Sequence, residues 1–123
     1  MSYLSKIRIG VTEEGLNFLK DYVKNKIGEE SYKNSYMSDY EVFAKKGDVY
    51  FIGWDWIKFY EEMHDVNAIY EALDIMEEKE IPYRMVKVGE DYAEYEAIEV
   101  VDADPFNMIP YIYTTIEFIY GEI

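Results

Sequence analysis

The stretch GDVYFIGWDWIKFYEEMHDVNAIYEALDIMEEKEIPYRMVKVGED, residues 47–91, decides the fold. It contains both tryptophans and the single histidine of the chain. Its apolar residues first alternate, as in a half-buried strand, then recur with a helical period, and then alternate again. The pattern therefore predicts a strand, a helix and a second strand.

A helix predicted over 66–79 is the clearest element of this stretch. Its apolar face is formed by Val66, Ala68, Ile69, Ala72, Leu73, Ile75 and Met76. Its opposite face is formed by Glu71, Asp74, Glu77 and Glu78. Such segregation is typical of a surface helix that packs on a core. Asp65 is placed to cap this helix, and Pro82 to end it and open a strand over 83–88.

A β-hairpin is predicted on the N-terminal side of this helix, with arms over 40–45 and 49–56. The turn between the arms, Lys46-Gly47-Asp48, contains a glycine that can adopt a positive φ. Residues 57–62 either extend the second arm or begin a short helix. One face of the second arm carries Tyr50, Ile52, Trp54 and Trp56.

A strand and a helix precede the hairpin. Alternation predicts the strand over 3–11, with Ile7 and Ile9 on one face and Lys6 and Arg8 on the other. A helix is predicted over 13–27, between an N-cap threonine at position 12 and a glycine at position 28. A polar loop follows over 29–39.

Two more strands are predicted after 83–88, over 92–101 and 111–120, the first with Glu94 and Glu96 on one face. The element order is then β-α-β-β-α-β-β-β, mostly with short turns. This order predicts an α+β fold, in which a mainly antiparallel sheet of five to six strands has two helices packed on one face. The length predicts a single domain, 1–123.

The composition excludes several kinds of site. The chain has no cysteine, which removes disulfides, thiolate metal sites and cysteine nucleophiles together. Its first ten residues lack the apolar segment of a signal peptide. No apolar run reaches the roughly 18 residues that a membrane-spanning helix needs. We therefore expect a cytoplasmic protein.

The charge is strongly negative and unevenly distributed. The net charge is −14, and residues 61–104 hold 15 of the 26 carboxylates but 3 of the 12 basic side chains. Nucleic acid and anionic membranes repel such a surface, so neither is an expected partner. A protein with a basic surface is the partner that this charge favours.

The sequence contains no catalytic motif. It has no phosphate-binding glycine loop, no nucleophile elbow and no His-Glu-x-x-His. Glu61 and His64 have the spacing of di-iron ligands, but such a site needs two such pairs on four helices, so a surface histidine is predicted. Asp102 and Asp104 begin like a calcium loop that Pro105 then interrupts. We expect no enzyme, no catalytic residue, no cofactor and no metal.

The outer face of the helix at 66–79 carries charge of one sign. From 61 to 78 there is no lysine or arginine, whereas a solvated helix face usually mixes both signs. Either this face is only solvated, or a basic partner offsets the repulsion and the carboxylates imitate nucleic-acid phosphates. The predicted partner-binding residues are Glu71, Asp74, Glu77, Glu78, Glu90, Asp91, Tyr92, Glu94, Tyr95 and Glu96.

Tyrosine is unusually frequent, with 14 in the chain. Tyrosines supply stiff, amphipathic contact area and are enriched at protein interfaces. Tyr32, Tyr36 and Tyr40 recur at a spacing of four in or beside the polar loop. These three either contact a partner or flank the core.

Three segments carry a likeness to a known group of proteins: GWDWIKFY at 53–60, the helix start Asp65-Val66, and KVGEDY at 87–92. In these segments, in size and in acidity the chain resembles early proteins of phages and prophages of low-GC Gram-positive bacteria. That group includes anti-CRISPR and other anti-defence inhibitors. The resemblance implies an inhibitor in the cytoplasm of the bacterial host, directed at a nuclease or a CRISPR effector, without an active site of its own.

Two other functions stay open. The first is a non-catalytic structural or regulatory phage-type protein, a homodimer in which residues 111–116 form an edge strand that pairs with itself. The second is a small hydrolase or divalent-metal site built from paired carboxylates. The mass in solution distinguishes the homodimer from a monomeric inhibitor, and thermal stabilisation by a metal would favour the last function.

Overall fold

The described part of the chain begins with a strand and two helices and continues with a β-hairpin, a third helix and two further strands. The structure, a computed structural model, describes residues 4–89 and 95–99. Its elements are β1 (Ser5–Thr12), α1 (Glu13–Ile27), α2 (Glu29–Lys33), a 3₁₀ turn (Tyr36–Ser38), β2 (Val42–Lys46), β3 (Val49–Ile57), α3 (His64–Glu78), β4 (Tyr83–Gly89) and β5 (Tyr95–Glu99). Neither alternative for 57–62 is found, because β3 ends at Ile57 and a connection leads to α3. None of the helices in this part of the chain combines the length and apolarity needed to cross a membrane.

The sheet is antiparallel, and β1 lies at its centre. The strand order is β2-β3-β1-β4-β5, and each neighbouring pair is antiparallel. Because β3 and β4 both run antiparallel to β1, they are parallel to each other, and α3 is the crossover between them. This connectivity is a split β-α-β arrangement. The predicted α+β class with an antiparallel sheet is confirmed.

The predicted number of strands is not confirmed. The upper count of six strands requires both C-terminal strands, 92–101 and 111–120. Of the first, residues 95–99 are described, as β5. The second lies outside the described residues. The helices pack on β1, β3 and β4, which supply the sheet side of the core.

Alternation along the strands sends one set of side chains toward the helices. In β1 these are Ile7, Ile9 and Val11, all buried. Ile7 registers with Trp54 of β3, and Ile9 with Ile52. The helices complete this core with Leu16, Leu19, Val23, Val66, Ala68, Ile69, Ala72, Leu73 and Met76. The predicted apolar face of α3 is therefore confirmed, except that Ile75 is only half-buried.

Helix α1 begins and ends where the sequence predicts. Thr12 Oγ1 accepts the N–H of Gly15 at 3.1 Å. Gly28 has a φ of 89° and donates its N–H to the carbonyl of Lys24 at 2.9 Å. Gly15 also permits close packing on α3, since a Cβ there would lie 3.0 Å from Cε of Met76. The start of α1 therefore lies near the end of α3, and the two helices pack antiparallel.

Helix α3 begins two residues before its predicted start. Its N-cap is Met63, so Asp65 lies in the first turn. The Asp65 carboxylate accepts the N–H of Val66 at 2.9 Å and that of Tyr36 at 3.2 Å. The prediction of Asp65 as N-cap is therefore wrong. The contact with Tyr36 connects α3 to the 3₁₀ turn. The two residues are far apart in the sequence, so a local pattern does not predict this contact.

Residues 29–39 are more regular than the predicted polar loop, because α2 and the 3₁₀ turn occupy most of them. Tyr32 and Tyr36 donate their hydroxyls to backbone carbonyls at 3.3 and 2.9 Å. The rings of Tyr36 and Tyr40 pack on Trp54, with centroids 5.8 and 6.1 Å away. All three tyrosines flank the core, which is one of the two roles predicted for these positions.

A β-bulge near the end of β3 separates the two tryptophans. The pairing register shifts between Ser5 and Ile7 of β1, and Trp56 has a φ of 54°. Trp54 is 1% exposed in the core, whereas the ring of Trp56 lies 5.7 Å from the amine of Lys6. The prediction that both tryptophans share a face is therefore wrong, because the extra residue of the bulge turns Trp56 toward the other side.

Candidate protein-binding surface

The outer face of α3 is acidic along its C-terminal half. Asp74, Glu77 and Glu78 are exposed there, and the helix contains no lysine or arginine. Because the apolar face of α3 is buried in the core, these carboxylates point outward. Residues three or four apart on a helix lie about 5–6 Å from each other. The three side chains, called the α3 cluster below, therefore form one patch of like charge.

Glu71 differs from the other predicted α3 carboxylates because α1 holds it. Its Oε1 accepts the hydroxyl of Tyr22 at 3.0 Å and lies 3.1 Å from Nζ of Lys26. The hydrogen bond from Lys26, followed by that from Tyr22, lowers the pKa of Glu71. Hydrogen bonding to Glu71 in turn raises the pKa of both donors. The charge of Glu71 is thus compensated within the protein.

The other predicted partner-binding residues do not extend the α3 cluster in the described part of the chain. Those outside the described residues are Glu90, Asp91, Tyr92 and Glu94. Tyr95 and Glu96 lie on β5, where Glu96 registers with Lys87 of β4. Glu96 is therefore placed on the sheet next to a basic residue. Three of the ten predicted residues are brought together as one exposed patch, all of them on α3.

Tyr83 is a buried neighbour of the α3 cluster. It is 1% exposed, at the start of β4. Burial, followed by the charges of Glu77 and Asp74, raises the pKa of Tyr83 to about 12. Its hydroxyl has no hydrogen-bond partner among the residues described. The negative charge of the α3 cluster therefore affects a buried side chain of the protein, Tyr83, as well as the surrounding solvent.

An ion pair between a buried arginine and a partly exposed aspartate lies on the sheet face opposite the helices. Arg8 is 2% exposed, and its Nη2 lies 2.9 Å from Oδ1 of Asp55. Its Nη1 donates to the carbonyls of Ile7 at 3.0 Å and Trp54 at 3.4 Å. Gly53 allows this arrangement, because a Cβ there would overlap the carbonyl oxygen of Ile7 and lie 3.0 Å from Nη1. The guanidinium therefore lies close to the backbone of β3 at Gly53.

The sequence does not reveal that the two basic side chains of β1, Lys6 and Arg8, are buried. Lys6 and Arg8 lie on the face away from Ile7 and Ile9, as alternation predicts, yet they are 4% and 2% exposed. Alternation identifies the face that a side chain occupies and not what covers that face. The sequence signal for this burial is Gly53, which pairs with Arg8 on the neighbouring strand. It can be recognised only when the strand pairing is known.

An aromatic row ends at the edge strand β2. Phe43 is 54% exposed, the one large hydrophobic side chain with such exposure in the described residues. Its ring stacks on Tyr40 with centroids 5.9 Å apart and contacts Tyr50 at the same distance. Tyr40 connects the row to Trp54 in the core. An exposed apolar ring thus continues an otherwise sheltered aromatic cluster.

The remaining polar side chains do not assemble a recognisable catalytic or metal site in the part of the chain that is described. No three His, Asp or Glu side chains there converge to hold a metal ion. His64 is exposed at the start of α3, in a polar hollow that Ser31, Ser35 and Asp65 also line. The chain matches no protein-family model, no curated protein and no solved structure. Its own surface is therefore the basis for a functional proposal.

Proposed function

We propose that this protein is an inhibitor that binds the basic, nucleic-acid-binding surface of another protein. The observation that carries the proposal is the α3 cluster, exposed on a helix without a basic residue. Like charges three or four residues apart destabilise a helix. This repulsion is present in the free protein. A cationic partner removes it on binding, which stabilises the complex relative to the free protein.

The spacing of the α3 cluster suits a groove that normally holds phosphates. Asp74 and Glu78 are four residues apart, a rise of about 6 Å along the helix. Phosphates on one DNA strand advance about 3.4 Å per base pair, so two steps cover a similar distance. The net charge of −14 would also accelerate encounter with a basic surface.

The docking surface that we propose is smaller than the predicted row of partner-binding residues. Because Lys26 compensates Glu71, the surface that we propose begins at Asp74 and extends toward the C-terminal end of α3. The resemblance to phage early proteins suggests the class of target. We infer that it is a bacterial nuclease or CRISPR effector in the cytoplasm of the host cell, and we assign the protein no catalytic chemistry.

Affinity capture from a bacterial lysate tests the proposal. The bait proteins are the wild type, a triple variant Asp74→Lys, Glu77→Lys and Glu78→Lys, and a control that reverses Asp21, Glu30 and Asp39. The control residues are exposed and dispersed over α1, α2 and the loop, and both variants carry the same net charge, −8 instead of −14. Circular dichroism verifies that each variant is folded.

We expect the wild type and the control to capture a nucleic-acid-binding protein, identified by mass spectrometry, and the α3 variant to lose it. Added duplex DNA and added salt should release the captured protein, because both compete for or screen the same charges. Capture by the α3 variant at the level of the control would show that the α3 cluster is only a solvated surface.

A further inference from the structure

Strand β2 lies at one edge of the sheet that the structure describes. It pairs with β3 through a regular register, and no strand lies on its other side in the described part of the chain. An edge strand presents a row of unpaired backbone N–H and C=O groups, which another strand can extend. Proteins commonly block such edges with proline, bulges or charges in mid-strand. The first three residues of β2, Val42-Phe43-Ala44, have none of these, and its charged residues, Lys45 and Lys46, come at the end of the strand.

The exposed side chain at the centre of this edge is held in place by its neighbours. Phe43 lies between Tyr40 and Tyr50, with both ring centroids 5.9 Å away. Tyr40 and Tyr50 are themselves half-buried against the core. A ring that is already ordered loses little side-chain entropy when a partner covers it. The edge therefore presents a preformed apolar contact.

The sequence of this edge is complementary to itself. We propose that two copies of the chain pair through β2, antiparallel, with Phe43 opposite Phe43 of the second copy. This register places Glu41 opposite Lys45 of the second copy, and Lys45 opposite its Glu41. Both side chains are exposed; Lys45 shares the face of Phe43 by alternation, and Glu41 directly precedes the strand. Aromatic and opposite-charge cross-strand pairs each stabilise an antiparallel sheet.

Neighbouring registers lack this complementarity. A pairing centred on Ala44 would place Phe43 opposite Lys45, and one centred on Val42 would place Phe43 opposite Glu41. Only the Phe43-centred register places Glu41 of each copy opposite Lys45 of the other. It also places the two exposed Phe43 rings opposite each other. The interface is small, since stable interfaces bury about 800 Å² per partner, so we expect a dimer that forms at high protein concentration.

Salt should affect this dimer and the proposed inhibitory complex in opposite directions. Two copies, each with a net charge of −14, repel each other at long range. At 0.1 M salt the Debye length is about 10 Å, which screens repulsion between the bodies of the two copies more than attraction between adjacent pairs. Moderate salt therefore strengthens the dimer, whereas it weakens the docking of the α3 cluster on a basic protein. The dimer does not depend on the inhibitory function.

Sedimentation equilibrium of charge-reversal variants tests the register. The wild-type mass should rise from 14.7 kDa toward twice that value as concentration increases. Glu41→Lys and Lys45→Glu should each weaken self-association about tenfold, because each creates two like-charge pairs across the interface. An equimolar mixture of the two variants should recover it, since opposite charges then face each other in the heterodimer.

The two single variants also separate this register from a general effect of charge. Glu41→Lys lowers the net negative charge and Lys45→Glu raises it, so a general effect would move their self-association in opposite directions. Glu30→Lys and Lys33→Glu make the same changes on α2, at exposed positions away from β2, and should leave the dimer intact. Thermal unfolding verifies that each variant is folded.

A wild-type protein that stays at 14.7 kDa at every concentration and salt level overturns the proposal. A dimer that persists in both single variants places the interface elsewhere on the chain. A mixture that fails to recover association, while both variants are folded, excludes the Phe43-centred register.

Discussion

The two faces of the central strand β1 are both buried, but different forces stabilise them. On the helix-covered face, Ile7 of β1 meets Trp54 of β3 inside an apolar core. On the opposite face, Lys6 and Arg8 of the same strand are equally well buried, and Arg8 pairs with Asp55. Successive residues of one strand therefore depend on apolar burial on one side and on charge pairing and hydrogen bonds on the other.

This difference determines how each face responds to substitution. An apolar core is close-packed, so any loss of volume is costly. A buried ion pair is harmed most when one partner is removed, since the other charge then lacks compensation. Replacing both partners with apolar residues of similar volume often costs little. The two faces should therefore be distinguishable by single and double substitutions.

The largest effect is expected from Trp54→Ala on the helix-covered face, a loss of about 3–5 kcal/mol in the free energy of unfolding. Its Nε1 also donates to the carbonyls of Tyr36 at 3.2 Å and Asp39 at 3.1 Å. Trp56→Ala should cost much less, because that side chain is only half-buried. Urea unfolding followed by circular dichroism measures both. Equal losses would mean that the bulge does not separate the two environments.

On the opposite face, Arg8→Met should lower the free energy of unfolding by about 2–4 kcal/mol, since it removes the guanidinium that lies 2.9 Å from Asp55. Asp55 is 37% exposed, so solvent offsets part of the cost. The double variant Arg8→Met, Asp55→Leu should recover most of the loss in the same urea experiment. If the double variant is as unstable as Arg8→Met, the uncompensated charge of Asp55 is not the cause of the lost stability.

A smaller gain in stability is expected from Tyr83→Phe. The Tyr83 hydroxyl is buried and has no hydrogen-bond partner among the residues described. Removing an unsatisfied buried hydroxyl should raise the free energy of unfolding by about 1 kcal/mol. Tyr22→Phe is the matched control, because it removes a hydroxyl that is bonded to Glu71 and should not stabilise the protein. A loss of stability in Tyr83→Phe would contradict the prediction.

The smallest effect concerns the contact between α1 and α3. Because the pKa of Glu71 is lowered, its ionised form stabilises the fold above its ordinary pKa, and this contribution is lost as pH falls through the lowered value. The pKa of Lys26 is raised, so its contribution is lost only as pH rises through that raised value. Lys26→Ala should therefore reduce stability at neutral pH and have little effect in acid.

An NMR titration of the Glu71 carboxyl measures this directly. We expect its pKa to rise in Lys26→Ala, because the hydrogen bond from Lys26 is the largest cause of the lowered pKa. Lys24→Ala is the control, since Lys24 pairs with Glu29 at 3.3 Å and not with Glu71. An unchanged Glu71 titration in Lys26→Ala would assign the shift to Tyr22 instead.

The helices could be predicted because their signals are local. Thr12 and Gly28 mark the start and the end of α1 through contacts within one turn. A helical period of apolar residues marks the buried face of α3. The same period correctly places Asp74, Glu77 and Glu78 on the outside of α3. It does not show that Lys26, from another helix, compensates Glu71. Of the candidate surface, the exposed positions were thus predictable and their electrostatic partners were not.

The amino-acid sequence by itself determines the α+β class, the apolar faces of α1 and α3 and the excess of negative charge, because each depends on composition or on neighbours within a few residues. Only the tertiary structure decides that Trp56 leaves the face of Trp54, that Arg8 is buried against Gly53, and that β2 forms an edge. These features depend on strand order and register, which bring together residues up to about 50 positions apart, and no local pattern specifies such pairings.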